Sequence, residues 1–476
     1  MTNNTRIEHD LLGERRVPAD AYWGIHTLRA LENFPITGKP IGSYPDLVKA
    51  LALVKLAAAH ANRELGELEE KRFAAISGAC QEIIGGAWHE QFVVDVIQGG
   101  AGTSTNMNAN EVIANRGLEL LGEYRGNYQA LHPINHVNMS QSTNDVYPTA
   151  LRVAACFGIL SLIGTMAELR EAFAAKAEEF RNVLKIGRTQ LQDAVPMTLG
   201  QEFSTYAVMI GEDEARLTEA MALIREVNLG ATAIGTGINT DVAYARLAIE
   251  HLSALSGLPL VPAPNLIEAT QDTGAFVQLS GVLKRVAAKL SKTCSDLRLL
   301  SSGPQGGFNE INLPERAAGS SIMPGKVNPI IPEVMNQIAF EVIGNDVTIT
   351  MASEGGQLQL NAFEPIIGHS LFKSIEHLKA GCVTLARNCV RGITANRELL
   401  AERARTSAGL ATALNPYIGY ENATKVAREA LRSGRSVAEL VLEMGLLDAA
   451  TLDSLLSPEV LTAPQARQGP PGDAQR

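Results

Sequence analysis

Residues 319–329 read GSSIMPGKVNP, and this segment is the starting point for predicting the fold. Its two prolines interrupt a helix and its two glycines leave the backbone free to turn, so we predict a loop of restricted shape. Successive backbone N–H groups after a glycine form a concave site for anions, and Lys326 adds a positive charge here. A serine in such a site would have its alkoxide stabilised, as a base requires. The segment therefore predicts a loop that binds a carboxylate or phosphate.

Two other interpretations of this loop are a plain connector and a nucleotide-binding P-loop. Loops rich in glycine, proline and serine are most often connectors. A P-loop has four residues between its first glycine and Gly-Lys, and then serine or threonine. Here five residues separate Gly319 from Gly325, and Val327 follows the lysine. The spacing excludes the P-loop and leaves the connector as the alternative.

Most of the chain around this loop has the periodicity of helices. Leu47, Leu51, Val54 and Ala58, for example, follow one another at spacings of three and four, as on one face of a helix. Alternating strand patterns are scarce, and aromatic residues make up only 5% of the chain. The pattern predicts a mainly α protein with a central bundle of long helices. The helices predicted are residues 46–65, 109–121, 148–183, 199–227, 273–300, 332–354, 421–432, 436–444 and 449–456.

Composition limits the class of protein. The chain has 476 residues and a net charge of −10, so we expect about three domains or one extended helical assembly, and no nucleic-acid binding. The first residues lack the apolar region of a secretory signal. The sequence also has no uninterrupted apolar stretch of about 18 residues, the length that a membrane span needs. We therefore expect a soluble, cytoplasmic protein.

Cysteines and histidines do not form a recognisable metal site. The five cysteines are scattered without a CxxC motif, which favours buried, unreactive thiols over disulfides or zinc. His132 and His136 are four residues apart, but Pro133 follows the first and no HExxH motif is present. Local hydrogen bonding is the predicted role of these histidines, and a secondary polar site is the alternative.

Three further loops concentrate small hydrogen-bonding side chains beside predicted helices. They are residues 98–108 (QGGAGTSTNMN), 140–145 (SQSTND) and 187–193 (GRTQLQD). Each alone is explained by helix capping, although helix N-termini also attract anions. Their recurrence favours convergence on one small ligand with several negative charges. Because long helices separate their ends by tens of ångströms at about 1.5 Å per residue, the sequence predicts a site assembled between subunits of a homo-oligomer.

Taken together, these loops resemble those of the fumarase/aspartase superfamily, over about residues 21–445. GSSIMPGKVNP matches the signature loop of the superfamily, and residues 102–108 and 140–145 match two other shared blocks. Residues 22–30, 309–315 and 357–361 are most similar to the members that eliminate ammonia from L-aspartate. The resemblance implies the same reaction here, which gives fumarate and needs no metal or other cofactor.

The resemblance also implies the organisation of the protein. We expect an N-terminal lyase domain (1–145), a central helical-bundle domain (146–397), a small helical C-terminal domain (398–462) and a disordered tail (463–476). The central domains would form the helical core of a homotetramer. Each active site would then draw loops from three subunits.

The resemblance assigns a role to individual residues. Ser320 is the implied general base, and Lys326 supports its alkoxide. The residues implied to surround the β-carboxylate of the substrate are Thr103, Ser142, Thr143 and Ser321. Those implied to bind the α-carboxylate are Thr189, Lys326 and Asn328, and those facing the amino group are Asn144 and Gln190.

Three further functions stay open at this point. Class II fumarate hydratases resemble this chain, but they usually have histidine at the position of Gln190. A lyase for N-substituted aspartates and a non-catalytic scaffold protein are the second and third candidates.

The chain also departs from the usual family pattern at two places. Residues 132–135 read HPIN where the family usually has His-Pro-Asn-Asp, and Gln305 replaces a common arginine.

Overall fold

A computed structural model describes residues 4–464 of the chain. These residues form two compact units. Unit 1 contains the chain up to Gly164 together with Asp213–Ala288 and Ile338–Ala380, and unit 2 contains Thr165–Glu212, Lys289–Gln337 and the chain from Gly381 onward. The domain boundaries inferred from the sequence stay a prediction. Most of the predicted disordered tail lies outside the described residues.

The predicted mainly α fold is confirmed. The α-helices are α1 (Ile25–Asn33), α2 (Pro45–Glu64), α3 (Glu70–Ile84), α4 (Thr103–Leu120), α5 (Thr143–Glu179), α6 (Leu199–Ile224), α7 (Tyr244–Ser256), α8 (Leu266–Gln271), α9 (Gly274–Leu300), α10 (Ile330–Glu354), α11 (Glu364–Asn388), α12 (Arg397–Thr406), α13 (Leu410–Ile418), α14 (Tyr420–Ser433), α15 (Val437–Glu443), α16 (Ala449–Leu455) and α17 (Pro458–Leu461). The predicted apolar stripe of α2 is buried, with Leu51, Val54 and Ala58 at 0% exposure.

Strands are short and occur in pairs. They are β1 (Thr5–Asp10), β2 (Gly13–Pro18), β3 (Leu184–Thr189), β4 (Gln192–Thr198), β5 (Glu226–Val227), β6 (Val261–Pro262), β7 (Ile311–Asn312) and β8 (Thr394–Ala395). β5 and β6 pair in parallel, and the other three pairs, β1–β2, β3–β4 and β7–β8, are antiparallel. The prediction that residues 187–193 form a plain loop was wrong, because they belong to the β3–β4 hairpin. Apolar and polar residues alternate too weakly in β3 and β4 for the sequence pattern to predict two strands.

Helix α5 begins at Thr143, five residues before the predicted start at Pro148. A proline has no N–H, so Pro148 cannot donate to the carbonyl oxygen of Asn144 one turn earlier. The buried side chain of Asn228 supplies that hydrogen bond instead, with 3.1 Å between Nδ2 and the Asn144 oxygen. Because a distant residue replaces the missing donor, the helix extends back to Thr143. By length and composition α5 could cross a membrane, but 61% of its most apolar stretch is buried, as is typical of a core helix.

The start of α1 is attached to α4 through a buried carboxylate. Glu111 accepts hydrogen bonds from the backbone N–H groups of Gly24 at 2.8 Å, His26 at 2.8 Å and Thr27 at 3.1 Å. Burial raises the pKa of Glu111 to about 7, although these hydrogen bonds oppose the shift. The carboxylate thus satisfies N–H groups that a helix cannot satisfy by itself.

A buried tyrosine and a half-buried histidine give unit 1 a titratable contact. The hydroxyl of Tyr44 lies 2.7 Å from Nδ1 of His369, and Nζ of Lys39 donates to the same hydroxyl at 3.1 Å. Burial is the main cause that lowers the pKa of His369 to about 4, and the positive charges of Lys39 and Lys373 contribute to that shift. The neutral imidazole is therefore the form that the fold stabilises.

We expect stability to fall as the pH decreases from about 6.5 to 4, because unfolded His369 binds a proton that the folded form excludes. In His369→Asn, the side-chain oxygen can replace Nδ1 as the acceptor for Tyr44 but does not titrate. The melting temperature of this variant should therefore depend less on pH in that window. Thermal scans at several pH values measure this, with the exposed His9→Asn as the matched control. Equal pH dependence in His369→Asn and the unmodified protein would contradict the assignment.

Candidate active site

In unit 1, a glycine places Thr103 beside the start of α5. Gly100, Ala101 and Gly102 have φ values of 91°, 53° and 89°, so the chain reverses just before α4. A Cβ atom on Gly102 would lie 2.4 Å from the ring of Tyr147 in α5, which only glycine avoids. Thr103 opens α4 with its side chain exposed, and its hydroxyl donates to the oxygen of Gly100 at 2.8 Å.

The second polar block caps α5 and also presents side chains around it. The N–H of Ser142 donates to Asp145 Oδ1 at 2.9 Å, and the N–H of Asn144 donates to the hydroxyl of Ser142 at 3.2 Å. This is helix capping, as one interpretation of the sequence predicted. The hydroxyl of Thr143 accepts from Asn106 Nδ2 at 3.0 Å, which connects this block to α4. Thr103, Ser142, Thr143 and Asn144 thus lie on two joined helix starts.

A buried carboxylate ties a third loop to this block. Asp145 Oδ2 accepts from the N–H groups of Gly230 and Thr232, both at 3.0 Å. The side chain of Asn144 also donates to the oxygen of Ala233 at 2.8 Å. Burial raises the pKa of Asp145 to about 6, against the effect of its hydrogen bonds. The glycine-rich segment 230–237 is therefore held against the start of α5.

In unit 2, Thr189 and Gln190 lie at the tip of the β3–β4 hairpin. Thr189 ends β3, and Gln190 and Leu191 form a two-residue turn with φ values of 54° and 62°. Turns of this kind usually contain asparagine or glycine, because two consecutive positive φ values strain other residues. Strain of this kind is common at functional sites. Both Thr189 and Gln190 are exposed.

Glu310 joins this hairpin to the chain that leads to Ser320. Its carboxylate is 1% exposed and lies 2.7 Å from Lys185 Nζ and 2.6 Å from Arg188 Nη1. Arg188 also stacks on the ring of Phe308 at 4.2 Å. The sequence of residues 309–315 predicts no role for Glu310, because nothing in it indicates two cations from a distant hairpin.

The loop 319–329 surrounds the oxygen of Ser320 with backbone donors. Its Oγ accepts from the N–H of Ile322 at 3.2 Å and from that of Met323 at 3.0 Å. Asn328 Nδ2 donates to the oxygen of Gly319 at 2.9 Å and closes the loop at its base. Lys326 and Ser321 are exposed. Backbone N–H groups aimed at Oγ stabilise negative charge on that oxygen.

The predicted site residues therefore fall into two groups. Unit 1 carries Thr103, Ser142, Thr143 and Asn144, and unit 2 carries Thr189, Gln190, Ser320, Ser321, Lys326 and Asn328. The sequence analysis assigned no role to Asn106, Asp145 and Glu310, nor to Lys55, whose Nζ donates to Asn106 Oδ1 at 2.6 Å. For Lys55 there was a signal, because it is a single charge within the apolar segment ALALVKLAAA.

The histidines and cysteines have the local roles predicted for them. His132 Nδ1 accepts from the N–H of Ile134 at 3.0 Å, and His136 Nδ1 accepts from the N–H of His132 at 2.8 Å. All five cysteines are buried, and burial raises the pKa of Cys80 to about 12. Among residues 4–464, no group of three His, Cys, Asp or Glu side chains is placed to hold a metal ion.

Comparison with known proteins places this geometry in a family. A family model described as Lyase matches residues 13–344, and one described as Fumarase C C-terminus matches residues 410–463. A curated relative from Pseudomonas fluorescens, named Aspartate ammonia-lyase, is 63% identical over 461 residues, which cover 97% of this chain and 96% of the relative. The chain belongs to the fumarase/aspartase superfamily of lyases. Another superfamily member named Aspartate ammonia-lyase, from Escherichia coli K12, is 54% identical over 465 residues, or 98% of this chain and 97% of the relative.

Solved structures of the superfamily have the same fold. A Brucella melitensis protein titled fumarate lyase:delta crystallin, bound to cobalt, is 57% identical with a TM-score of 0.94, over 97% of this chain and 100% of that one. The class II fumarase of Schistosoma mansoni is 34% identical with a TM-score of 0.89, over 95% of this chain and 98% of that one. The superfamily resemblance found in the sequence is therefore confirmed.

Gly319→Ala should disrupt the Ser320 loop without unfolding the protein. A Cβ at Gly319 would lie 1.3 Å from the oxygen of Lys326, so the loop must open and its donors must leave Ser320. We expect lyase activity to fall by about 100-fold or more, since displacements of about 1 Å have such effects. The melting temperature should stay unchanged, because the loop is largely exposed.

Gly306→Ala is the matched control in the same connection, since a Cβ there meets nothing within 4 Å. Steady-state kinetics and thermal scans of both variants test the assignment. Equal activity of Gly319→Ala and Gly306→Ala would contradict it.

Proposed function

We propose that the protein is an aspartate ammonia-lyase, a carbon–nitrogen lyase that eliminates ammonia reversibly from L-aspartate to give fumarate. The observation that carries this proposal is the position of Ser320 Oγ, which accepts two backbone hydrogen bonds from Ile322 and Met323. The names of relatives that are 54–63% identical over nearly the whole chain support the choice of L-aspartate.

Ser320 is the proposed base. It removes a proton from the carbon next to the side-chain carboxylate, and ammonia leaves from the neighbouring carbon. That proton is only weakly acidic, so the reaction needs stabilisation of the dianionic aci-carboxylate that forms. The two N–H groups on Oγ stabilise the serine alkoxide, and Lys326 adds a positive charge to the same loop.

The β-carboxylate, where the new charge develops, is proposed to bind the hydroxyl side chains at the helix starts of unit 1 together with Ser321. Those side chains are Thr103, Ser142 and Thr143. Donors at a helix N-terminus favour an anion because the free N–H groups and the helix dipole act together. The start of α5 is therefore a suitable place for the carboxylate that gains charge.

The α-carboxylate and the amino group are proposed to bind mainly to unit 2. Thr189, Lys326 and Asn328 would hold the α-carboxylate, and Asn144 and Gln190 would face the amino group. Gln190 is neutral, so it does not repel an ammonium leaving group as a cation would. The class II fumarases usually have histidine at this position, so Gln190 favours ammonia elimination over hydration.

The site is proposed to be complete only in a homotetramer, in which each centre takes loops from three subunits. The long apolar helices α5, α6, α9 and α10 would form the shared core. We also propose that the protein acts in the cytoplasm. The substrate is a small molecule, and neither a metal nor an organic cofactor enters the proposed reaction.

The direct test is to supply the purified protein with L-aspartate and follow fumarate by its absorbance, with L-malate as the control substrate. We expect fumarate from L-aspartate and none from L-malate. A folded protein that ignores L-aspartate but interconverts malate and fumarate would overturn the proposal in favour of a hydratase.

Ser320→Ala should lower kcat by about 10²- to 10⁴-fold, which is the usual contribution of a general base. The fold and oligomeric state should not change, because the side chain lies in a loop and supports no core contact. Steady-state kinetics and size-exclusion chromatography measure the two effects. A variant that keeps kcat within a few-fold of the unmodified protein would show that another group is the base.

A further inference from the structure

Lys55 is a fully buried lysine whose charge is held by neutral groups. Its side chain is 0% exposed in α2. Nζ donates to Asn106 Oδ1 at 2.6 Å, to Asn138 Oδ1 at 2.8 Å and to Gln141 Oε1 at 2.8 Å. These contacts use all three N–H bonds of an ammonium group. Among residues 4–464, no carboxylate lies within ion-pair distance of it.

Burying a positive charge in this way has a high energetic cost. An ammonium without a paired anion loses its hydration and regains only part of it from amide oxygens. Burial accordingly lowers the pKa of Lys55 to about 7, while the negative charge of Asp145 acts in the opposite direction. An apolar side chain of similar length would avoid this cost, so support of the core alone does not explain the lysine.

The lysine determines how the side chain of Asn106 is oriented. An ammonium only donates hydrogen bonds, so the oxygen of Asn106 must face Lys55 and its NH₂ group must face away. That NH₂ group donates to the hydroxyl oxygen of Thr143 at 3.0 Å and to Oδ1 of Asn138 at 3.1 Å. The identity of the two amide atoms thus follows from the hydrogen-bond network.

This arrangement leaves the Thr143 hydroxyl with a proton to donate. Its oxygen already accepts from Asn106, and it donates to no atom among residues 4–464. Hydrogen bonds in a chain polarise one another, and a positive charge at one end strengthens donation at the other. The series Lys55, Asn106, Thr143 therefore ends in an O–H group that favours a negatively charged acceptor.

We propose that Lys55 is a positioning residue whose buried charge acts through Asn106 to make the Thr143 hydroxyl a hydrogen-bond donor for a carboxylate of the substrate. This inference rests on the proposed function and extends it to residues that do not touch the substrate. Lys55 and Asn106 lie behind the start of α5. They raise the affinity of that helix start for an anion without contacting the substrate themselves.

The sharpest test is Asn106→Asp, which has nearly the same shape. Its carboxylate still accepts from Lys55, but it cannot donate to Thr143, and the Thr143 hydroxyl will instead donate to it. We expect kcat/KM for L-aspartate to fall about 10- to 100-fold, as for one lost hydrogen bond to a charged group. In the variant Lys55 gains a partner of opposite charge, but the hydrogen bond from Asn106 Nδ2 to Asn138 Oδ1, at 3.1 Å, is replaced by two facing oxygens. These effects on the melting temperature oppose each other, so we expect the protein to stay folded with a small change in melting temperature.

A double-mutant cycle separates positioning from general support of the fold. Thr143→Val removes the hydroxyl and keeps the shape. If Asn106 acts through that hydroxyl, Asn106→Asp will have little further effect in the Thr143→Val background. Asn106→Ala, measured in the same two backgrounds, gives a second cycle that does not depend on the folding of the aspartate variant. Lys49→Met, which removes a partly exposed lysine from the same helix, is the control expected to keep full activity.

Succinate binding, measured by calorimetry on the same variants, distinguishes failure of this inference from failure of the proposed function. If L-aspartate is not a substrate but succinate binds, Asn106→Asp should still weaken succinate binding about 10-fold or more, and only in the presence of the Thr143 hydroxyl. Unchanged kcat/KM and succinate affinity in Asn106→Asp, or losses that add in both cycles, would overturn the inference. Failure of the unmodified protein to bind succinate would overturn it as well.

Discussion

Three buried charges, those of Asp145, Glu310 and Lys55, are held by partners that replace water, and these contacts organise the polar loops. A charge removed from water is tolerated only where several partners replace the water. Asp145 meets the requirement with three backbone N–H groups, Glu310 with two cations and Lys55 with three amide oxygens. In each case at least two of the partners come from segments far away in the chain. The loops are therefore placed by interior charges rather than by their own composition.

The same loops contain backbone conformations that ordinary residues avoid. Ala101, Ser140, Gln190 and Leu191 all have positive φ values, and each lies in or next to one of the polar blocks. Such conformations cost about 1–3 kcal/mol each and persist only where the surrounding structure determines them. The buried contacts of Asp145 and Glu310 supply that surrounding structure. The contacts of these buried charges thus help to hold the strained loops in place.

The helices were predictable because their apolar residues recur at the helical period over many turns. α2, α6, α9 and α10 agree with the predicted ranges to within a few residues, since long periodic segments outweigh local exceptions. The start of α5 was placed too late because the sequence does not reveal that Asn228 replaces the hydrogen bond missing at Pro148. The β3–β4 hairpin was missed because its turn, Gln190-Leu191, lacks the asparagine and glycine that usually indicate such turns.

The sequence by itself determined the helical class, the superfamily and the positions of the polar blocks, because periodicity and the spacing of small polar residues are local properties of the chain. Only the tertiary structure decided which side chains orient those blocks. Lys55, more than eighty residues before Thr143 in the chain, reaches it through Asn106. The pairing of Glu310 with Lys185 and Arg188 likewise joins distant segments. Such contacts depend on the packing of helices and strands onto one another, and that packing leaves no periodic signal in the sequence.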